Sequence, residues 1–412
     1  MTPIRVAACH LAPVFLDAAA TTRKALDAIH TAARHGAGLV VFPETYIPAF
    51  PLWSALRAPY ENHDLFRRMA RESVFADGDE IKSIQHAAKE LGIAVSIGIS
   101  EKVRYSSATL FNANLLIGGP DGRVLNHHRK LMPTFFEKLT WAHGDGHGLR
   151  VVDLPSSPSS SSSSSQSLSG VKVGNLICGE NTNPLARYAL MSQGEQLHIS
   201  TWPATWPTRI PESVTDQKQE DEGIETAPTA TTAKNKGGRG RNYDNVAANR
   251  TRAAAHCFEA KCFGVLCSGF LDERAIEIVS EGAAASPQLV RDALRASPRG
   301  VTMFLDPTGA AVAGFTMRKA DAGGRVGEEE EQQQSVDYLQ NEEGILFADL
   351  DMEECVEGKQ YHDVVGGYQR HDVFQLSVRR ERERPVRFLD PPEVPDRVQA
   401  TAAGASAVDE AQ

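Results

Sequence analysis

A cysteine between a predicted strand and a predicted helix is the most reactive feature of the sequence. The apolar run VKVGNLIC at 171–178 predicts a strand that ends on Cys178, and Pro184 opens a helix a few residues later. This elbow would hold the sulfur near a helix N-terminus, where the helix dipole favours a thiolate. A thiolate is a nucleophile suited to covalent catalysis. The alternative is a small buried thiol that only packs in the core.

Two charged residues, Glu44 and Lys130, lie at similar places in the chain. The run GLVVFPE at 38–44 predicts a buried strand that ends on Glu44, and Lys130 comes after a run of strand-like residues. Open α/β sheets place ligand sites at the carboxyl ends of their strands. The alternative for each residue alone is a charge that ends a strand in solvent.

Together, Cys178, Glu44 and Lys130 supply the three groups that acyl-type transfer requires. Each lies at the exit of a predicted strand, so we expect the three to converge on one face of the fold. The carboxylate would act as the base, and the ammonium would stabilise developing negative charge. The sequence therefore predicts a site for thiol-based hydrolysis.

The elements around these residues alternate between strands and helices. A hairpin is predicted from 109–117 and 123–131, and apolar strands and helices with helical spacing fill most of the remaining chain up to 352. Helical spacing is clearest at 18–33, 80–91 and 242–261. Alternation of this kind predicts an α/β protein whose sheets are covered by helices.

Three polar segments interrupt the alternation. The segment near 156–169 is rich in serine, the segment near 211–241 in threonine and lysine, and the segment near 320–343 in glutamate and glutamine. Such segments bury too little apolar surface to offset the entropy of ordering them. We therefore expect one domain at 1–390 with three surface insertions, followed by a disordered tail at 391–412.

Composition excludes several classes of protein. The 412 residues are 41% hydrophobic and 23% charged, with a net charge of −10, so no basic footprint for nucleic acid is visible. No run approaches the about 20 apolar residues that span a bilayer. Six cysteines are too few for a disulfide scaffold, which predicts a reducing, cytoplasmic setting.

At this point the sequence resembles the nitrilase superfamily, and most closely its true nitrilase branch in fungi. Three blocks carry the resemblance: PETYIPAFP at 43–51, HRKLMPTFFEKLTWAHGDG at 128–146 and ICGENTNPLARYALMSQGEQLHISTWP at 177–203. It extends from Ile4 to about Leu376 outside the insertions. The resemblance implies a four-layer αββα sandwich, no metal or organic cofactor, and a homo-oligomer in which dimers build larger spiral assemblies.

The same resemblance implies roles for individual residues. Glu44 would be the general base, Lys130 the catalytic cation and Cys178 the nucleophile. Glu137 matches a further active-site carboxylate, which would orient water or hold Lys130; the alternative is a surface acid. Many relatives carry tryptophan after the cysteine, whereas this chain has Gly179, which still offers a backbone N–H and leaves more room beside the sulfur.

Four aromatic residues flank the motifs: Tyr46, Trp53, Trp202 and Trp206. Together with Gly179 they are candidates for the walls of an apolar pocket, and the alternative for the aromatic residues is ordinary core or interface packing.

The function that the resemblance implies is hydrolysis of a nitrile to a carboxylic acid and ammonia. Two other enzyme functions stay open, an amide-forming cyanide hydratase and an amidase of the same superfamily. A catalytically silent homologue that forms filaments is the non-enzyme alternative.

Overall fold

The computed structural model describes most of the chain, namely residues 3–155, 169–207, 244–284, 286–319, 331–382 and 385–386. By its internal contacts the chain divides into one compact unit, Met1–Glu381, and a C-terminal unit, Arg382–Gln412. The predicted insertion at 211–241, the tail at 391–412 and nearly all of 156–169 lie outside the described residues. The predicted extent of the domain, 1–390, stays a prediction.

The strands of the described residues are numbered here in chain order. They are β1 Ile4–His10, β2 Leu39–Val41, β3 Ala94–Lys102, β4 Leu110–Ile117, β5 Val124–Arg129, β6 Val152–Asp153, β7 Lys172–Ile177, β8 Leu197–Trp202, β9 Phe263–Ser268, β10 Thr302–Leu305, β11 Ala311–Val312, β12 Gly314–Lys319, β13 Glu331–Val336, β14 Tyr338–Leu339 and β15 Gly344–Leu350. The α-helices are Ala18–Arg34, Trp53–Leu56, His63–Glu72, Asp79–Leu91, Pro184–Met191, Asn245–Ala260, Glu273–Ser280, Pro287–Ala296 and Glu354–Glu357.

These strands form two sheets. The first has the order β13-β12-β15-β1-β2-β3-β4-β5, and the second has the order β11-β10-β9-β8-β7-β6 with β14 paired to β10. Strands β1, β2 and β3 are parallel to one another, and so are β7, β8 and β9. The predicted hairpin is confirmed, because β4 and β5 pair in antiparallel register.

The layers follow from the alternation of side chains along each strand. In β1, Ala7 and Cys9 belong to a core shared with the helices Ala18–Arg34 and Asp79–Leu91. Val6 and Ala8 instead belong to a second core, which the two sheets share. A third core packs the outer face of the second sheet against the helix Asn245–Ala260. The order is therefore helix, sheet, sheet, helix, and the expected αββα sandwich is confirmed.

One predicted insertion is partly a strand. Residues 331–336 form β13, which pairs antiparallel with β12 at the edge of the first sheet. Its side chains are almost all exposed, so the polar sequence is compatible with a strand whose hydrogen bonds come from one neighbour. The lack of apolar residues in this segment predicted a position on the surface, but it did not predict the strand. Among the described helices, none combines the length and apolarity needed to cross a membrane.

Candidate active site

The cysteine elbow lies where β7 leaves the second sheet. Cys178 begins a short 3-10 helix, Cys178–Thr182, and adopts a left-handed conformation with φ of 52°. A non-glycine residue in this region is strained and persists only when its surroundings fix it. The side chain of Asn183 then accepts hydrogen bonds from the next two backbone amides and starts the helix Pro184–Met191.

Glu180 ties this elbow to the chain that carries the lysine. Its carboxylate accepts hydrogen bonds from the backbone N–H of Ile177 at 2.8 Å and from the backbone N–H of Leu131. It also pairs with Nε2 of His128 at 2.8 Å. Burial alone would raise the pKa of Glu180, but the His128 charge and the donated hydrogen bonds hold it below its ordinary value. The two sheets are thus locked together beside Cys178.

A second set of buried groups holds the elbow from the other side. Asn181 donates from its amide nitrogen to the carbonyl oxygens of Leu176 and Cys178, at 3.3 and 3.0 Å. Its amide oxygen is therefore left to accept from Nε2 of His198 at 2.8 Å. The other ring nitrogen of His198, Nδ1, faces the carboxylate of Glu195.

Glu195 joins two histidines. Its carboxylate lies 2.8 Å from Nδ1 of His198 and 2.6 Å from Nε2 of His256, and the two rings stack at 3.6 Å. Burial would raise the pKa of Glu195, but the two histidines lower it to about 2. Burial lowers the pKa of His256 to about 4, so this ring is neutral at pH 7. The Glu195 carboxylate therefore holds the His198 ring through Nδ1, and Nε2 of the same ring fixes Asn181.

The lysine lies between two carboxylates. Nζ of Lys130 is 2.8 Å from Oε1 of Glu44 and 2.6 Å from Oε2 of Glu137. All three side chains are fully buried. Asn112 of β4 donates to Oε1 of Glu44 at 2.7 Å, and the backbone N–H of Thr134 donates to Oε2 of Glu137 at 3.0 Å. The sequence-predicted residues Glu44, Lys130, Glu137 and Cys178 are therefore brought together.

One oxygen on each carboxylate has no partner. Oε2 of Glu44 and Oε1 of Glu137 are buried and accept no hydrogen bond from the described residues. Oxygens of both carboxylates and the sulfur of Cys178 lie within 4.8 Å of one another. A buried acceptor without a donor is unfavourable, so these atoms are arranged to receive protons from a substrate, from water or from the thiol.

Electrostatics decide which of these groups holds a proton at rest. Burial raises the pKa of Glu44 to about 7; Lys130 opposes this shift and Glu137 adds to it. Burial would lower the pKa of Lys130, but the negative charges around it raise the value well above its ordinary range. Burial and Glu44 raise the pKa of the Cys178 thiol well above its ordinary range. The thiolate expected from the helix N-terminus is therefore not the resting state, and the thiol needs a base.

A cavity of about 290 Å³ opens onto the sulfur. Its lining consists of Thr134, Cys178, Gly179, Thr182, Trp202, Pro203, Trp206, Asn245, Asn249 and Arg252. Trp206 stacks on Phe136 at 5.2 Å between ring centroids. Three of the predicted pocket residues, Gly179, Trp202 and Trp206, thus share one cavity with the nucleophile.

The other two predicted pocket residues lie elsewhere. Tyr46 is buried against Phe42 and lines a separate small cavity together with Glu44. Trp53 is only 1% exposed and packs in a hydrophobic cluster, edge to face with Phe15. The structure does not bring Trp53 to the sulfur, and its packing matches the alternative role in the core.

Two groups of residues in the described chain have the donor atoms of a metal site. One group is Glu44, Glu137 and Cys178, and the other is Glu195, His198 and His256. In the first group the Lys130 ammonium already bridges the carboxylates. In the second group both oxygens of Glu195 already pair with histidine nitrogens.

Several residues of the site were missed from the sequence, namely Asn112, Thr134, Glu180, Asn181 and Arg252. A usable signal exists for two of them. Asn112 is one of two asparagines, with Asn114, in the otherwise apolar strand β4, and a polar residue in a buried strand requires a hydrogen-bond partner. Glu180 lies two residues after the nucleophile in the sequence, so a position close to the reacting sulfur could have been expected for it. The positions of Asn181 and Arg252 depend on tertiary contacts.

The fold and this buried constellation define an enzyme that hydrolyses carbon–nitrogen bonds. The chain belongs to the carbon–nitrogen hydrolase family, whose model matches residues 5–321. A nitrilase of Penicillium rubens is 28% identical over 394 residues, covering 95% of this chain and 97% of that protein. An arylacetonitrilase of Hypocrea virens is 30% identical over 386 residues, covering 93% and 94%.

A solved structure gives independent support for the fold. It is Nit3 of Saccharomyces cerevisiae, described as a member of branch 10 of the nitrilase superfamily, with a TM-score of 0.54 and 16% identity. The alignment covers 90% of this chain and 97% of that chain. At this identity the likeness shows the fold alone.

Proposed function

We propose that this enzyme hydrolyses a nitrile to a carboxylic acid and ammonia through a covalent intermediate on Cys178. The observation that carries the proposal is the position of the Cys178 sulfur. It lines a cavity and lies within 4.8 Å of two carboxylates that each keep a buried oxygen unpaired. The names of the two relatives favour a nitrile over other carbon–nitrogen compounds.

The first half of the reaction forms the carbon–sulfur bond. Glu44, with a pKa of about 7, takes the proton of the thiol as the sulfur attacks the nitrile carbon. The protonated Glu44 passes this proton to the nitrile nitrogen, which gives a thioimidate and restores the Glu44 carboxylate. Lys130, which stays charged, stabilises the negative charge that develops on this nitrogen, and the backbone N–H of Gly179 contributes a second donor.

The second half uses water. Glu44 activates one water, which adds to the thioimidate carbon and gives a tetrahedral intermediate. Loss of ammonia leaves a thioester, and a second water releases the carboxylic acid and restores the thiol. If the carbon–sulfur bond breaks before ammonia leaves, the product is an amide. Glu137 holds Lys130 and, through its unpaired oxygen, can orient the water.

The direct test combines a substrate panel with product identification. Phenylacetonitrile, benzonitrile, cyanide and simple amides would be incubated with the enzyme, with ammonia, acid and amide measured separately. Cys178→Ala is expected to abolish turnover and to prevent a mass adduct on the protein. Cys355→Ala is the matched control, because Cys355 is an equally buried thiol packed in the core between the sheets.

Each outcome separates the proposal from its alternatives. Amide as the main product from cyanide would favour a cyanide hydratase, and turnover of amides but not nitriles would favour an amidase. Filaments without turnover of either class would favour a silent assembly protein. Full activity in Cys178→Ala would exclude the covalent mechanism. Assembly into homo-oligomers and a cytoplasmic location stay predictions.

A further inference from the structure

One wall of the active-site cavity comes from a single face of the helix Asn245–Ala260. Asn245, Asn249 and Arg252 all line the cavity, and their spacing of four and three residues places them on one side of the helix. The remaining lining is made of two tryptophans, a proline, a glycine, two threonines and the nucleophile. The polar side chains on this face of the helix are therefore positioned to contact a ligand in the cavity.

The two asparagines of this wall are used differently. Asn245 donates from its amide nitrogen to the carbonyl oxygen of Pro298 at 2.7 Å and is fixed by the protein. Asn249 is 5% exposed, yet its side-chain amide forms no hydrogen bond with any residue that the structure describes. A buried amide without a partner is unfavourable by the free energy of the missing hydrogen bond. Its position on the cavity wall makes a ligand the natural partner.

Arg252 brings charge to the same wall. Among the described residues that line the cavity, it is the one that carries a formal charge. Its Nε donates to the carbonyl oxygen of Ala248 at 2.9 Å, and the guanidinium lies 4.8 Å from the ring of Trp202. No carboxylate of the described chain pairs with it. The two terminal nitrogens are therefore available as charged donors one helical turn from the Asn249 amide.

We propose that Arg252 and Asn249 bind a carboxylate at the end of the substrate remote from the cyano group. The inference rests on the proposed function, and it narrows the substrate class to nitriles that carry an anionic group. A guanidinium with an adjacent amide donor matches the two oxygens of a carboxylate, and Trp202 and Trp206 provide walls for an apolar body. The cavity of about 290 Å³ suits a small molecule of this kind.

A purely structural role for Arg252 makes a different prediction. If stacking on Trp202 were its whole role, its loss would affect neutral and anionic substrates alike. The same holds if Arg252 acted only through its charge on the Cys178 thiol. The ratio of kcat/KM for an anionic nitrile to that for a neutral isostere cancels both effects, so this ratio isolates recognition of the carboxylate.

The test uses 4-(cyanomethyl)benzoate against 4-nitrophenylacetonitrile, which has the same shape and no charge. A series of ω-cyanocarboxylates of increasing length covers other separations between the two groups. We expect the anionic-to-neutral ratio to fall about tenfold to a hundredfold in Arg252→Gln, largely through KM, because charged hydrogen bonds are lost. Arg252→Lys should restore part of the ratio. Arg250→Gln, which removes the same charge from an exposed position on this helix, should leave it unchanged.

Binding to Cys178→Ala supplies a second readout that does not depend on turnover. The 4-(carboxymethyl)benzoate dianion would be titrated by calorimetry into this variant with Arg252 present or replaced by Gln. Anion binding that needs Arg252, without turnover of any nitrile, would overturn the proposed function and keep the anion site. Turnover of neutral nitriles with an unchanged ratio in Arg252→Gln at every chain length would overturn the anion site and keep the nitrilase.

Discussion

Two of the buried clusters of ionisable groups around the elbow of Cys178 differ in their surroundings, because the cavity that reaches the sulfur is lined by a member of one of them. The catalytic cluster consists of Glu44, Lys130, Glu137 and Cys178. The histidine cluster consists of Glu195, His198 and His256. Both are completely buried, and both bring a carboxylate within 3 Å of a positively charged or protonatable nitrogen. The density of charged groups alone does not distinguish a site of chemistry from a structural network.

The distinction lies in how completely the carboxylates are satisfied. Both oxygens of Glu195 have a histidine nitrogen as partner, and the network ends on Asn181 and the backbone of the elbow. In the catalytic cluster one oxygen of Glu44 and one of Glu137 remain without a donor. A carboxylate with both oxygens paired holds its neighbours in place, whereas an unpaired carboxylate oxygen close to the nucleophile is available for a reaction.

The pKa values of the two glutamates diverge for the same reason. Burial raises the pKa of both, but Glu195 has two histidines to itself, whereas Glu44 shares one lysine with Glu137. The result is a pKa of about 2 for Glu195 and about 7 for Glu44. A base with a pKa near 7 can both accept and return a proton at neutral pH, and a carboxylate with a pKa near 2 can only hold a cation.

The largest expected effect is the loss of the base. Glu44→Gln keeps the shape of the side chain and an acceptor for Lys130 and Asn112, but it cannot take the thiol proton. We expect kcat/KM to fall by about 10³ or more, at the upper part of the range for general bases, with little change in the unfolding midpoint. Steady-state kinetics together with calorimetry would measure both. A variant that kept one tenth of the activity would show that another group acts as the base.

Replacement of Glu195 in the histidine cluster should instead lower the stability of the fold and change the activity little. Glu195→Gln removes a buried carboxylate that pairs with both histidines, and removing one partner of a buried pair lowers the free energy of unfolding by about 3 kcal/mol. Because the variant still folds around the elbow, we expect kcat to fall less than tenfold. Urea unfolding measures the stability. Glu273→Gln, which breaks an exposed ion pair to Arg295, is the control and should leave the stability almost unchanged.

The sign of the pH dependence adds a check on Glu195. Its pKa is lowered in the folded state, so its stabilisation is present above the unfolded value near 4.5 and is lost as the pH falls toward 2. The difference in stability between wild type and Glu195→Gln should therefore be largest near pH 7 and shrink below pH 4.5. A difference that grew at low pH would contradict an ionised Glu195.

Each cluster also has one glycine that could be replaced. A Cβ on Gly174 would lie 2.3 Å from Oε1 of Glu195, whereas a Cβ on Gly179 would lie 2.7 Å from Oγ1 of Thr134 in the cavity. We expect Gly174→Ala to lower stability by about 1–3 kcal/mol, as overpacked cores do.

Gly179→Ala should instead lower kcat/KM about tenfold and shift the acid-to-amide ratio. Thr134→Ala removes the opposing oxygen, so the Gly179→Ala/Thr134→Ala double variant should recover activity; an additive loss would exclude this contact.

The sequence predicts the first of these clusters far better than the second. Glu44, Lys130 and Cys178 each end a strand, and strand ends of parallel sheets converge, so their meeting follows from the topology. His198 lies on β8 with Glu195 just before that strand, whereas His256 lies on the helix Asn245–Ala260, more than 50 residues further along the chain. Nothing in the local pattern distinguishes them from ordinary core residues, although QGEQLH at 193–198 lies in one of the blocks that carry the family resemblance.

The direction of the pKa shifts was also beyond the sequence. Strand position predicted that Glu44 and Lys130 would meet, but whether burial or the lysine dominates depends on how many carboxylates share that lysine. Likewise, the helix N-terminus after Cys178 predicted a thiolate, and complete burial beside Glu44 outweighs it. The strand and helix pattern of apolar residues predicted the sandwich well, because the side chains of β1 pack into two different cores. The same pattern missed β13, because this strand is held by its backbone hydrogen bonds to β12 and not by buried apolar side chains.

The smallest expected effect concerns a single hydrogen bond to the base. Asn112 donates to Glu44 at 2.7 Å and stabilises its ionised form, so Asn112→Ala should raise the pKa of Glu44 further. Because the reaction needs the carboxylate, wild-type kcat/KM should rise with pH through about 7, and the variant's rise should lie about one pH unit higher, the shift expected from one charged hydrogen bond. Asn114→Ala is the matched control, since Asn114 lies two residues further on β4 and pairs with Ser96 instead. If both variants kept the wild-type midpoint, the rise of kcat/KM with pH would report a group other than Glu44. The difference in pKa between Glu44 and Glu195 would then not explain why only Glu44 acts as a base.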